Sequence, residues 1–182
     1  ARHRAPVVAE PADPLAVAVN LGNLGSLYDP VLRYHEAEQL HLRALAIWEK
    51  TAEPHPNDRA NCLNNLAALY ESQGKIELAI PRLQQAVTIW EAAYTRKHPI
   101  SATGMANLAA AYCRAKQFDK AESLLVESIA VFEQCLPPQH PKLAWTLSNY
   151  AYLLNNTDRR AEAKRLIGRA KLQRPLAAGF GE

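Results

Sequence analysis

Four seven-residue phrases recur along the chain: GNLGSLY at 22–28, NNLAALY at 64–70, ANLAAAY at 106–112 and SNYAYLL at 148–154. Their asparagines, Asn23, Asn65, Asn107 and Asn149, stand 42 residues apart. The echo extends through Ala37, Ala79, Ala121 and Ala163, then Ala44, Ala86, Ser128 and Ala170. It closes on IWE at 47–49, IWE at 89–91 and VFE at 131–133. Each copy opens on a proline pair, DP at 13, HP at 55, HP at 98 and HP at 140, with a one-residue slip before Pro99. A fixed period of this size excludes most folds, because it makes one supersecondary unit stack on the next copy of itself.

Within a unit, Leu63, Leu66, Ala67 and Tyr70 follow one helical stripe, and Ile76, Ala79, Ile80, Leu83, Ala86, Val87 and Trp90 follow a second. Proline suits a first helical turn, where its missing N–H is no loss. Gly74 in SQGK at 72–75 suits a helix C-terminus in the left-handed region. Each unit therefore reads as helix, tight turn, helix. Gly25, Ala67 and Ala109, with Ala37, Ala79 and Ala121, place small side chains where paired helices would touch, which lets their axes approach.

The order HP…NLAxLY…GK…A…A…IWE resembles a tetratricopeptide repeat, in the longer 42-residue variant of kinesin light chains and nephrocystin-like proteins. The resemblance implies an all-α, right-handed superhelical solenoid of four helix-turn-helix units. Domain boundaries follow: a lead-in at 1–12, an array at 13–173 (units about 13–54, 55–97, 98–139 and 140–173) and a tail at 174–182. Eight residues beyond the usual 34 add about two helical turns, or ~12 Å of helix, much of it expected around IWE. The first unit has Pro30 in place of the glycine turn, so its first helix should stop near Tyr28, and His41 occupies the column of Leu83, Leu125 and Ile167.

Composition narrows the function classes. The 182 residues are 48% hydrophobic and 21% charged, which is ordinary for a folded chain, and a net charge of +3 is too small to argue for nucleic acid. Lys142, Arg159, Arg160, Lys164, Arg165, Arg169, Lys171 and Arg174 outnumber Asp158, Glu162 and Glu182 toward the end, which suits a solvated helix face or an acidic partner. Cys62, Cys113 and Cys135 form neither a disulfide framework nor a CxxC pair. No apolar run reaches the ~20 residues of a membrane helix, and a cytoplasmic chain is expected, with export left open by the lead-in.

Catalytic signatures are missing: there is no HExxH, GxSxG or GxxxxGK[ST], and no cofactor is expected. His55, His98 and His140 repeat in step with the units. Helices ~8–10 Å apart cannot converge their ligands at ~2 Å from one zinc, so a role at helix entry is expected and a metal is not. Arg114 beside Cys113 would lower that thiol's pKa if both were exposed together. Trp48, Trp90 and Phe132 form one column, read as packing between units.

In repeats of this kind the first helix of each pair lines a concave surface that binds extended peptides. The resemblance then implies a groove made by residues off the packing stripe: Asn61, Asn64, Ala68 and Glu71; Thr103, Ala106, Ala110 and Arg114; Trp145, Ser148 and Tyr152. Asn64 matches a groove asparagine of kinesin-light-chain-like repeats, although Gly22, Ala106 and Ser148 fill its column elsewhere. The ladder Asn23, Asn65, Asn107 and Asn149 either contacts a ligand or ties each unit to the next. A non-enzymatic scaffold holding a protein or peptide segment is the expected function. Self-assembly is the alternative, through terminal helices or the groove. The outward side of the last pair, with Leu143, Leu147, Tyr150 and Leu172 among its candidates, is expected to be covered by the tail residues Leu176 and Phe180, by a second copy, or by chain beyond Glu182.

Overall fold

The computed structural model describes residues 14–28, 34–50 and 55–172. They form eight helices and no strand: α1 (Pro14–Tyr28), α2 (Tyr34–Lys50), α3 (Pro56–Ser72), α4 (Ile76–Tyr94), α5 (Pro99–Arg114), α6 (Phe118–Cys135), α7 (Pro141–Asn156) and α8 (Arg160–Leu172). The expected lead-in at 1–12 and tail at 174–182, with Leu176 and Phe180, lie outside the described residues. The chain divides into two compact units, residues 1–55 and 56–182.

The first unit pairs α1 with α2. Helix α1 ends at Tyr28, two residues before Pro30, as its sequence dictates. His41 is buried, and its imidazole fills the space over Gly25, where a Cβ would lie 2.8 Å from Nε2. A leucine in this column would face the same glycine with a different shape. Trp48 is buried as well, with the His55 ring tilted against it at 5.5 Å.

The second unit stacks three pairs, α3–α4, α5–α6 and α7–α8, and each helix packs on the next. The small columns are buried completely: Ala67, Ala79, Ala109 and Ala121 are all 0% exposed. Trp90 and Phe132 are buried between successive pairs. Gly104 shows how tightly. A Cβ there would sit 2.6 Å from Cε3 of Trp90, so the indole of α4 lies directly against the α5 backbone.

Helix starts and turns repeat with local substitutions. His98 and His140 are N-caps whose Nδ1 atoms accept from the backbone N–H of Ile100 and Lys142, each at 3.2 Å. His98 also stacks on Tyr94. Gly74 turns at φ +72°, and its equivalents Lys116 and Asp158 take the same left-handed conformation, at 58° and 59°, without being glycine.

The far end corrects the expected outward face. Leu143 and Leu147 are buried on α7, a helix that packs against both α6 and α8. Tyr150 is half-buried and its hydroxyl donates to Glu122 on α6 at 2.9 Å. Of the four named residues only Leu172 is exposed. On α8 the repeat positions Ala163 and Ala170 are buried, while Ile167, in the column of the buried His41, is 39% exposed.

Candidate functional site

The first helices α3, α5 and α7 place the off-stripe residues on one face of the second unit. Seven of the residues named from sequence line one small cavity of about 60 Å³: Asn64, Ala68 and Glu71 from α3, Asn107, Ala110 and Arg114 from α5, and Trp145 from α7, with Leu83 of α4 beneath. Thr103, Ala106, Asn107 and Trp145 line a larger one of about 360 Å³, with Phe132, Pro141, Lys142 and Thr146. Asn107 and Trp145 belong to both, so the two cavities share a wall. Asn61, Ser148 and Tyr152 line neither; Tyr152 is exposed, and the Ser148 hydroxyl donates to Ala144 O of its own helix.

Side-chain bonds tie α5 to α3. Asn107 Nδ2 donates to Asn64 Oδ1 at 2.7 Å, and Arg114 pairs with Glu71 through Oε2. The ladder position Asn107 thus reaches the groove position Asn64 of the preceding pair. One pair further on, the counterpart of Asn64 is Ala106, which offers no acceptor. Asn149 accordingly donates to Trp145 O in its own helix, at 3.0 Å. Asn23 is exposed on α1, and Asn65 is half-buried on α3.

The larger cavity occupies the junction without that bridge. Phe132 also stands where the preceding pair has Trp90, and so fills less of the space between helices. Lys142 reaches across the rim, its Nζ 3.0 Å from Thr103 Oγ1. Sequence reasoning missed Lys142 and Thr146 because their columns hold Ile100 and Gly104 in the preceding unit, with no repeated polar signal. Phe132 was legible as packing, and it also forms part of the cavity wall.

The cysteine chemistry differs from the exposed arrangement that would activate a thiol. Cys113 is buried, and burial pushes its thiol up to about 11, against the weaker opposing pull of Arg114. Burial likewise pushes Cys62 up to about 12. Among the described residues no group of three His, Cys, Asp or Glu could hold a metal ion, and no helix is long and apolar enough to cross a membrane.

The family profile described as Tetratricopeptide repeat matches residues 16–92 and 100–170. Solved structures share the architecture. BtubC (BKLC) from P. vanneervenii superposes with a TM-score of 0.84 at 21% identity, over 96% of this chain and 70% of that one. A Podosopora anserina kinesin light chain-type protein with nearly identical repeats gives 0.73 at 24%, over 92% and 78%. YrrB, described as having an unusual peptide-binding site, gives 0.62 at 18%, over 89% and 71%. No curated protein matches the chain.

Proposed function

Because the chain belongs to the tetratricopeptide repeat family, we propose that it is a binding scaffold without catalytic activity, and that the face of α3, α5 and α7 holds a segment of a partner protein. The observation that carries this reading is convergence. Residues excluded from the packing stripe gather around two adjoining cavities, and the larger is walled chiefly by apolar atoms of Ala106, Phe132, Pro141 and Trp145. A side chain of the partner would be anchored there, while the half-buried amides of Asn64 and Asn107 and the exposed Lys142 meet polar groups beside it. Desolvated anchors of this kind carry most of the energy of an interface. YrrB, with its described peptide-binding site, supports the reading as a structural neighbour.

The test uses peptides selected from a random displayed library on the whole protein, then measured by titration calorimetry. Ala106→Leu should fill the larger cavity and weaken those peptides about tenfold or more, the scale of losing a good anchor. Circular dichroism would confirm the fold. Peptides that bind the filled variant as tightly as the parent would place the site elsewhere.

A further inference from the structure

Helix α8 departs from α4 and α6 on the side where those helices receive a neighbour. On α4 the stripe Ile80, Leu83 and Val87 is buried, and Val87 Cγ2 would lie 3.2 Å from a Cβ placed at Gly104 of α5. On α6 the same columns hold Glu122, Leu125 and Ile129. Leu125 and Ile129 are buried, and Glu122 accepts the hydroxyl of Tyr150 on α7 at 2.9 Å. These columns therefore face the first helix of the following pair. On α8 they hold Lys164, Ile167 and Lys171, with Arg160 one turn earlier, and all four are exposed. Nearby arginines are engaged: Arg159 pairs with Glu122 and Glu162, and Arg169 with Glu133. Among the described residues Arg160, Lys164 and Lys171 form no such pair.

We propose that this stripe of α8 docks an acidic amphipathic helix of a partner protein, lying where the first helix of a following pair would stack. The face is separate from the groove of α3, α5 and α7. Arg160, Lys164, Ile167 and Lys171 fall at i, i+4, i+7 and i+11, one line along the helix, with the apolar side chain between the two lysines. An apolar helix laid over Lys164 and Lys171 would take two ammonium groups from water with nothing in return. The helix that covers them has to bring carboxylates. The junction before it already answers a charge in this column with complementary groups, since Glu122 meets both the Tyr150 hydroxyl and Arg159. Lys164 reverses the sign, so a glutamate takes that place. A second copy of the chain fits poorly. Helix α6 carries the largest excess of acidic residues, and its Glu122, Glu127 and Glu133 are held by Arg159, Arg96 and Arg169.

The probe is an alanine-based helical peptide of about 15 residues, held helical by a hydrocarbon staple, with a central leucine and glutamates three or four residues to either side. Counterparts carry glutamine or lysine for glutamate. Each is titrated into the isotope-labelled full chain and followed by NMR. The glutamate peptide should bind about three- to tenfold tighter than the glutamine peptide, the scale of two or three exposed ion pairs. It should shift the Ile167 methyl signals, and its advantage should shrink as salt is raised. Lys164→Glu combined with Lys171→Glu should turn the preference to the lysine peptide, with the fold confirmed by circular dichroism. If that variant fails to fold, Lys164→Gln with Lys171→Gln should abolish the preference instead. Equal binding of the glutamate and glutamine peptides would overturn the proposal, as would shifts confined to helices other than α8. So would shifts at α8 caused by phosphatidylserine vesicles or duplex DNA while the glutamate peptide causes none. A mass in solution that rises with concentration, and stops rising in the double variant, would give the face to a second copy and overturn it too.

Discussion

Two junctions in the second unit are built from equivalent positions and end differently. Between α3 and α5, Asn107 bonds to Asn64, Arg114 pairs with Glu71, and Trp90 lies against Gly104. Between α5 and α7 the same columns hold Asn149, Ala106, Phe132 and Thr146, and residues of both helices line a cavity of about 360 Å³. The exchange is coordinated. The larger ring meets the residue without a side chain, and the smaller ring meets threonine. Where the second amide is lost, the first turns back to its own helix. A junction tied by bonds is a poor place for a ligand side chain; a junction with room and an apolar wall is a good one.

The comparison can be broken at its tightest point. Gly104→Thr copies the α7 residue into α5, where its Cβ would collide with the Trp90 ring. It should cost about 1–3 kcal/mol in denaturant unfolding, the range for overpacking a close contact. Adding Trp90→Phe should recover much of that loss, because the pair then matches Phe132 and Thr146. A double-mutant cycle without coupling would mean that ring size and glycine are unrelated.

The small columns give an effect of similar size across both junctions. Ala79→Leu or Ala109→Leu should overpack a helix pair by about 1–3 kcal/mol. A melting temperature unmoved by either substitution would contradict the complete burial of these alanines.

Ala106→Asn sharpens the contrast. It offers Asn149 the partner that Asn107 already has and should move stability by no more than about 1 kcal/mol, the net worth of one hydrogen bond. It should nonetheless narrow the larger cavity and weaken peptides that depend on it. Tightened binding would mean that the open junction is not the anchor site.

The smallest expected effect lies in the turns. Lys116→Gly and Asp158→Gly place glycine at left-handed positions already adopted by Gly74, and each should stabilise by about 0.5–1 kcal/mol. A fall in thermal stability on both substitutions would show that the lost side-chain contacts outweigh the backbone relief.

Much of this architecture was legible from residues alone. The helix pairs follow from the stripe Leu63, Leu66, Ala67 and Tyr70 and its copies, and the buried alanines follow from their repetition. The capping histidines before Pro99 and Pro141 belong to the same local grammar, since a cap needs only its own first turn. The outward face at the end was misread. Leu143, Leu147 and Tyr150 stand on a helix with apolar positions on more than one side, and periodicity alone did not tell which side the neighbouring helices cover.

The sequence by itself determined what repeats: period, helix, turn and small column, consequences of contacts within one unit or identical between units. Only the tertiary structure decided what the differences among copies do. Alanine for asparagine at 106, phenylalanine for tryptophan at 132 and lysine for isoleucine at 142 are unremarkable one at a time. Their meaning lies in residues some 40 positions away meeting across α5 and α7, where a missing amide and a smaller ring add to one space.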